Sequence, residues 1–456
     1  MKGRSKLLKF LLGTLLVALV GLAGAYFFLA EREPPTVSLS PDRDHVSPQT
    51  EFSLEIADPG SGLASVSVTA SQDGPEKTLV KESFDRAVGR VTRSFRLANH
   101  GFDDGQVLLQ VSVRDASWSN LLRGNVMTRP VKVSLDSQPP QITLESFSHN
   151  LNRGGSGLAG FTVSEEVSRA GIAVGDYFFP AYRQDNGLYL CFFSFPFNAE
   201  PGQDRPLVIA EDKAGNTSRA GFHYYVNDKR FARTQIPISD NFLQTKMVQF
   251  ESRYPNQKEF LDLFLKVNRD LRQKNRQQLL DIARDTVAEP LWSDRFLRQP
   301  GAARRAAFGT RRTYVYQGER IDRQTHLGVD LASVARDEVP AANDGRIAYA
   351  GWLGIYGQIV IIDHGLGVQT MYAHLSQVQV SKGQRISKGD ILGRTGATGL
   401  AGGDHLHFAA LVSGVPVNPV EWWDQAWIEN NILPKLELRT MDTSGTSGQR
   451  RSKVSE

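Results

Sequence analysis

The sequence predicts a mainly β protein held by one N-terminal apolar helix, with a single helical region interrupting the strands. Three observations carry this. An uncharged run from Phe10 to Ala30 is long enough to be a transmembrane helix. Short alternating stretches such as "SVSVTA" (65–70), "VLLQVSV" (107–113) and "RPVKVSL" (129–135) recur between Gly, Asp, Asn and Pro clusters, as half-buried strands require. After Ile238 the apolar spacing changes to that of helices and then returns to strands beyond Pro300.

The N-terminal run follows Lys2, Arg4, Lys6 and Lys9 and stops at Glu31-Arg32-Glu33. At about 1.5 Å per residue it covers about 30 Å, the thickness of a bilayer core. The basic residues mark the cytoplasmic side, which leaves the remainder of the chain outside. A cleaved signal peptide ending near Ala23-Gly24-Ala25 is the competing reading. The apolar run continues past that point through Tyr26-Phe27-Phe28-Leu29, which favours an uncleaved anchor over residues 1–33.

Two β-sandwich modules of immunoglobulin-like rhythm are expected next, over residues 34–137 and 138–229. "PPTVSL" at Pro34 has a counterpart in "PPQITL" at Pro139, and "DASWSN" (115–120) is echoed by "DKAGN" (212–216). A helical linker region is expected over 230–300. Ser239 caps a helix through Phe242, Leu243, Met247 and Phe250, and Pro255-Asn256 opens a longer one through Phe260, Phe264, Val267, Leu271 and Leu279. A second β-rich domain spans 301–430, and the polar residues 431–456 form a disordered tail.

The 456 residues need several domains. A net charge of +4 suits contact with an anionic polymer or surface, but no nucleic-acid-binding motif is present. The run Arg295, Arg298, Arg304, Arg305, Arg311, Arg312 reads either as a polyanion or partner surface or as a solvated linker. With Cys191 as the only cysteine, an intrachain disulfide and any zinc site with two thiolates are excluded. A metal in this chain must be held by His, Asp or Glu.

Five of the nine histidines fall between residues 326 and 407. "THLGVDLA" places Asp330 four residues after His326. Gly328 and Val329 disfavour a helix there, so the spacing alone proves little. In "GGDHLHFAAL" (402–411), His405 and His407 project together if the segment is a strand, with Leu406 and Phe408 opposite. Two buried imidazoles on one face are costly unless their nitrogens are satisfied, which a metal ion does, as does a water or substrate beside it. "VQTMYAHLSQV" adds His374 two residues after Tyr372, and His364 lies in an Asp-His-Gly turn as a structural residue. The other four histidines, His45, His100, His149 and His223, are scattered through the β-modules.

Residues from about Ala307 to Trp423 resemble the lysostaphin-type (LytM-like) zinc metallopeptidase domain, which cuts peptidoglycan peptides. The matching stretches are "FGTRR", "HLGVD", "VPAANDGRIAYAG", "YGQIVIIDHGLGVQTMYAHLS", "KGQRISKGDILGRTGATG" and "HLHF", in the family's order. The resemblance implies a duplicated hybrid motif-like β-fold. It implies zinc bound by His326, Asp330 and His407, with His374 and His405 as catalytic histidines. Asp404, Ala409 and Gln358 depart from the family's common residues, and none of them removes a ligand. Two imidazoles and a carboxylate leave a tetrahedral zinc one open position, as in catalytic sites.

The implied activity is a zinc endopeptidase acting on peptidoglycan cross-links outside the cytoplasmic membrane, in the periplasm, anchored in the bilayer through residues 10–30. The alternative is a non-catalytic wall-binding regulator that activates other hydrolases, with a cell-envelope protein as partner.

Overall fold

The N-terminal run forms one helix, Lys2–Leu29, in a computed structural model that describes residues 2–29 and 33–440. Its apolar window Lys9–Tyr26 buries nothing against protein. By length and composition it can cross a bilayer, and a signal sequence meets the same criteria. The stop expected at Glu31-Arg32 and the tail 441–456 lie outside the described residues.

Strands dominate the rest of the chain, which divides into two compact units. The first comprises Met1–Pro139 with Glu211–Thr217. It contains a three-stranded sheet (Thr36–Ser40, Phe52–Ala57, Arg90–Phe95) and a five-stranded sheet built around Gly105–Asp115. Along Gly105–Asp115 the expected alternation holds, with Val107, Leu109, Val111 and Val113 buried and the residues between them half-buried. They pack with Leu54, Ile56 and Phe95 in one core.

The echo between "DASWSN" and "DKAGN" has a physical basis in this unit. The Asp115 carboxylate accepts from the backbone N–H of Ser117 and Asn125. The Asp212 carboxylate accepts from those of Gly215 and Asn216. Each acid organises its turn by taking N–H groups that the strands leave unpaired.

The second unit, Pro140–Ala210 with Ser218–Glu456, holds the helices and the histidine cluster. Its largest sheet runs Ala303–Ala306, Val329–Ala332, Leu406–Val412, Val368–Leu375, Gln358–Asp363, Gly345–Trp352 and Arg385–Ile386, with Val415–Val417 added beside Leu406–Val412. All its pairings are antiparallel. Leu406–Val412 and Val368–Leu375 are buried along their whole length, so both faces are covered. One face packs Tyr372 and Phe408 into a core that continues through Trp422 to Phe192 and Leu158. The other packs Ala373, Ala409 and Leu411 against Phe250, Phe264 and Leu271 of the helical region.

Ser239 caps the helix Asp240–Met247, its Oγ accepting from the Phe242 N–H at 3.2 Å. The next helix begins at Phe260 rather than at Pro255. Gln257 N–H bonds the Tyr254 carbonyl, so Pro255 and Asn256 occupy the middle of a β-turn, where the fixed proline φ is favoured. Residues 431–440, expected in the disordered tail, instead form Leu433–Leu436 and Glu437–Thr440, with Ile432 and Leu436 buried in the core. Cys191 is fully buried and its thiol faces the Phe179 carbonyl.

Glu421 joins distant parts of this unit. Asn152 Nδ2 donates to its Oε1 at 2.8 Å and the Ser156 N–H to its Oε2 at 2.9 Å. Burial pushes its carboxyl up to about 7 although these donors favour the charged form. The folded state therefore holds an extra proton between the unfolded value of 4.5 and about 7. That stabilisation is complete below 4.5 and is lost as pH rises through 7, a swing of up to about 3 kcal/mol. Thermal melting of the parent and of Glu421→Gln should therefore show the parent's stability relative to the variant's falling from pH 5 to pH 8, since the buried histidines add the same slope to both. A difference between the two proteins that does not change with pH would contradict the assignment.

Candidate metal centre

The antiparallel register sets Asp330 directly opposite His407, on adjacent strands. Residues opposite one another in a ladder share a face, so both side chains rise from the same side of the sheet. His326 precedes the Val329–Ala332 strand. Its backbone is fixed to the 309–310 turn, with His326 N–H on the Thr310 carbonyl and Gly309 N–H on the His326 carbonyl. The three side chains meet. His326 Nε2 lies 2.9 Å from Asp330 Oδ1 and 3.0 Å from His407 Nδ1, and His407 Nδ1 lies 2.9 Å from Asp330 Oδ1.

The chemistry of these atoms fits a cation. His326 Nδ1 faces the Ala307 carbonyl at 3.1 Å and must donate to it, which leaves the lone pair of Nε2 aimed at the cluster. Burial holds the His407 imidazole down at about 4, so it is neutral at pH 7, as a ligand must be. Burial alone would raise the Asp330 carboxyl, but hydrogen bonds and charge from His326, with bonds from His405 and His407, hold it well below the carboxylate range, and a bound cation would take the place of those imidazole protons. Three buried groups thus present lone pairs or negative charge to one point. In a tetrahedron with ligands about 2.0 Å from zinc, donor atoms stand roughly 3.3 Å apart, close to the spacing here. His407 Nε2 is buried without a hydrogen-bond partner. Gly328 lies against this ring, and a Cβ there would collide with His407 Nε2 and Cε1.

His405 lies just outside the Leu406–Val412 strand, held by a bridge to Gly396. Its Nδ1 faces the Gly403 carbonyl at 2.9 Å, and its Nε2 lies 3.5 Å from Asp330 Oδ1. His374 reaches the same place by a different device. Ala373 is the residue opposite His407, so strict alternation would send His374 to the opposite face with Tyr372. His374 instead adopts φ +65°, a left-handed conformation that costs a β-carbon-bearing residue of order 1–3 kcal/mol. Its ring then lies 5.0 Å from that of His405 and 5.7 Å from that of His407. The Thr398 carbonyl accepts from His374 Nδ1 at 2.9 Å, which leaves Nε2 as the nitrogen not held by this loop.

All five histidine and aspartate side chains line one cavity of about 530 Å³. Tyr356 packs beside His407, and part of the wall comes from residues 236–246, at the start of the helical region. Lys246 Nζ donates to the Ala397 carbonyl, and Gln249 and Gly399 exchange hydrogen bonds, tying that region to the loop that holds His374. His364 is absent from the cavity. It is fully buried between the Asp344 carbonyl and Thr370 Oγ1.

One contributor had no individual signal in the sequence. Arg312 Nη2 donates to Asp330 Oδ2 at 2.7 Å, occupying the carboxylate oxygen that faces away from the imidazoles. Its place in "FGTRR" marked the segment, not this contact. The wall residues 236–246 carried no marker at all, because nothing in a helical repeat records what lies across a groove.

Residues 324–419 match the family described as peptidase family M23. The DD-carboxypeptidase/endopeptidase Mpg of Neisseria meningitidis is 38% identical over 125 residues, 27% of this chain and 27% of that protein. The peptidoglycan DD-endopeptidase ShyA of Vibrio cholerae is 38% identical over 96 residues, 21% of this chain and 22% of its own. The murein hydrolase activator EnvC of Escherichia coli is 33% identical over 95 residues, 21% of this chain and 23% of its own. The chain thus spans about a quarter of the length of the curated relatives it matches. His326, Asp330, His374, His405 and His407 all fall inside the matched segment, whereas Arg312 and the 236–246 wall lie before it. On this evidence the chain carries, at residues 324–419, a domain of peptidase family M23.

Proposed function

We propose that this protein is a zinc endopeptidase that hydrolyses peptide cross-links of peptidoglycan, anchored in the cytoplasmic membrane by Lys2–Leu29 with its catalytic domain outside. The observation that carries the reading is the convergence of three donor atoms beside two further histidines in a single cavity. In this reading His326, Asp330 and His407 hold the metal. Bound zinc would polarise the scissile carbonyl and bring the pKa of a water molecule down to about 7.

The chain's own groups supply the rest. Arg312 holds one oxygen of Asp330, so the other is presented to the imidazoles in a single orientation. His374 and His405 each have Nδ1 fixed by a carbonyl, leaving Nε2 as the working nitrogen on both. One of the two takes a proton from the attacking water and passes it to the leaving amine. The other donates to the oxygen on which negative charge develops. The backbone strain at His374 is consistent with such a role, since it brings a ring to the cavity that alternation would have placed elsewhere.

The likeness to a hydrolase activator supports a second reading, in which the domain binds the wall without cutting it. The presence of all five side chains at one cavity favours catalysis. Incubating the purified full chain with peptidoglycan, with and without zinc, separates the two. Released peptide fragments are expected, and their absence under metal-loaded conditions, with the chain retained on sedimented peptidoglycan, would favour the binding role.

Asp330→Ala and His407→Ala should each abolish stoichiometric zinc, measured by elemental analysis, together with cleavage. Cleavage that persists after chelation would refute the zinc mechanism. His374→Ala and His405→Ala should retain zinc while cleavage falls by about 10²–10⁴-fold, the range for losing a general acid or base. Full activity in both histidine variants would remove them from the reaction.

A further inference from the structure

Among the described residues, Lys246, Arg272 and Arg312 are the lysine and arginines that line the histidine cavity. The fold spends two of these cations. Arg312 pairs with Asp330, and Lys246 Nζ holds the Ala397 carbonyl of the loop beside His374. Arg272 is different. It opens the helix Arg272–Ile282 directly after a π-helical turn at Val267–Leu271, where the Arg272 N–H reaches back to the Val267 carbonyl. Such turns interrupt helices frequently at functional sites. One turn further on, Asn275 Oδ1 accepts from the Ile355 N–H at 2.9 Å. That bond ties the helix to the turn carrying Tyr356, whose ring packs beside His407.

The Arg272 guanidinium is held on one edge only. Its Nε donates to the Asn268 carbonyl at 3.2 Å and its Nη2 to Asn268 Oδ1 at 2.6 Å. Asn268 is fully buried, and its amide is oriented by donating through Nδ2 to Asp322 Oδ2 at 2.7 Å. The charge of Asp322 is met by Arg269. Both anchors of Arg272 are therefore neutral oxygens, and among the described residues it has no carboxylate partner. Nη1 is left to donate elsewhere. Asp330, the acidic residue lining the cavity, is already committed to the imidazoles and Arg312. A half-buried, pre-oriented guanidinium beside the apolar wall of Phe264 and Tyr314 suits a carboxylate, because little ordering remains to be done on binding.

We propose that Arg272 is a specificity-determining residue that pairs with a free carboxylate of the cross-link peptide, on a residue flanking the scissile bond. The inference rests on the endopeptidase reading and names a charge that the substrate carries beside the cut. Arg272 lines the same cavity as the five candidate site residues, so a peptide whose scissile bond lies at the histidines has its flanking residues within that cavity. The carboxylate belongs either to a side chain or to a chain end of the peptide.

The test measures binding by the zinc-loaded full-length chain carrying His405→Ala, so that the peptide is not cut. The probes are cross-linked peptide dimers of peptidoglycan in three synthetic forms: all carboxylates free, side-chain carboxylates amidated, and terminal carboxylates amidated. Adding Arg272→Gln should weaken binding of the free-acid dimer by about tenfold, the scale of a lost hydrogen bond between charged groups. Amidation of the carboxylate that Arg272 meets should weaken the parent similarly and erase the difference between the two proteins, and the form that does so identifies the source. A merely structural role would weaken all three dimers alike, and that result would overturn the proposal. Equal binding of the free-acid dimer by parent and variant, or a parent indifferent to both amidations, would do so as well. Circular dichroism and zinc content check folding, and Arg272→Met, which keeps the stem of the side chain, replaces the glutamine variant should that one not fold. A parallel cleavage assay with the chain that retains His405 reports the endopeptidase reading, so its failure is seen separately from a failure of carboxylate binding.

Discussion

Asp330 standing opposite His407 across one antiparallel pair is the constraint on which the rest of the site depends. A carboxylate and two imidazoles are costly to bury singly, and more so when their lone pairs face one another. The fold accepts this because rigid elements hold each group. Two adjacent strands carry Asp330 and His407, and the 309–310 turn clamps His326 at both its N–H and its carbonyl. A slip of one residue in that register would turn Asp330 or His407 to the opposite face and disperse the cluster.

The apolar layers on both faces of the sheet prevent such a slip. Tyr372 and Phe408 are committed to one core, and Ala373, Ala409 and Leu411 to the other. Alternation between two buried faces leaves little freedom in pairing. His374 is the exception, where left-handed backbone replaces alternation and the Thr398 carbonyl fixes the ring. The helical region does more than connect domains, because Phe250, Phe264 and Leu271 pack beneath the sheet while residues 236–246 rise beside the cavity. A groove shaped partly by residues outside the family-matched segment is one whose preferences relatives need not share.

Charge is arranged with equal economy. Among the described residues Asp330 is the acidic one that lines the cavity, and its far oxygen is taken by Arg312. Arg233, Arg276, Arg311, Arg320 and Arg323 come from a helix and three strands, line a separate concavity together with Arg312, and have no carboxylate partner among the described residues. Of the six basic residues that form a run in the sequence, only Arg311 and Arg312 line that concavity. Arg298 instead stacks over Trp423 and donates to the Ala302 carbonyl. Proximity in the chain and convergence in space select different arginines.

Much of this was legible in residue order alone. Strand alternation, the Ser239 cap, the apolar N-terminal helix and the pairing of His405 with His407 are local, because side-chain direction repeats every two or every 3.6 residues. Motifs in a family's order identified the five candidate site residues, although spacing by itself did not bring His326 to His407. The rest needed three dimensions. The β-turn at Pro255-Asn256 and the burial of Ile432 and Leu436 depend on what packs against those segments. The continuous core from Phe192 to Phe408, the reversal at His374 and the hold of Arg312 on Asp330 are long-range in the same way. Periodicity determines which way a side chain points from its own strand, whereas only the pairing of strands and layers determines what it meets.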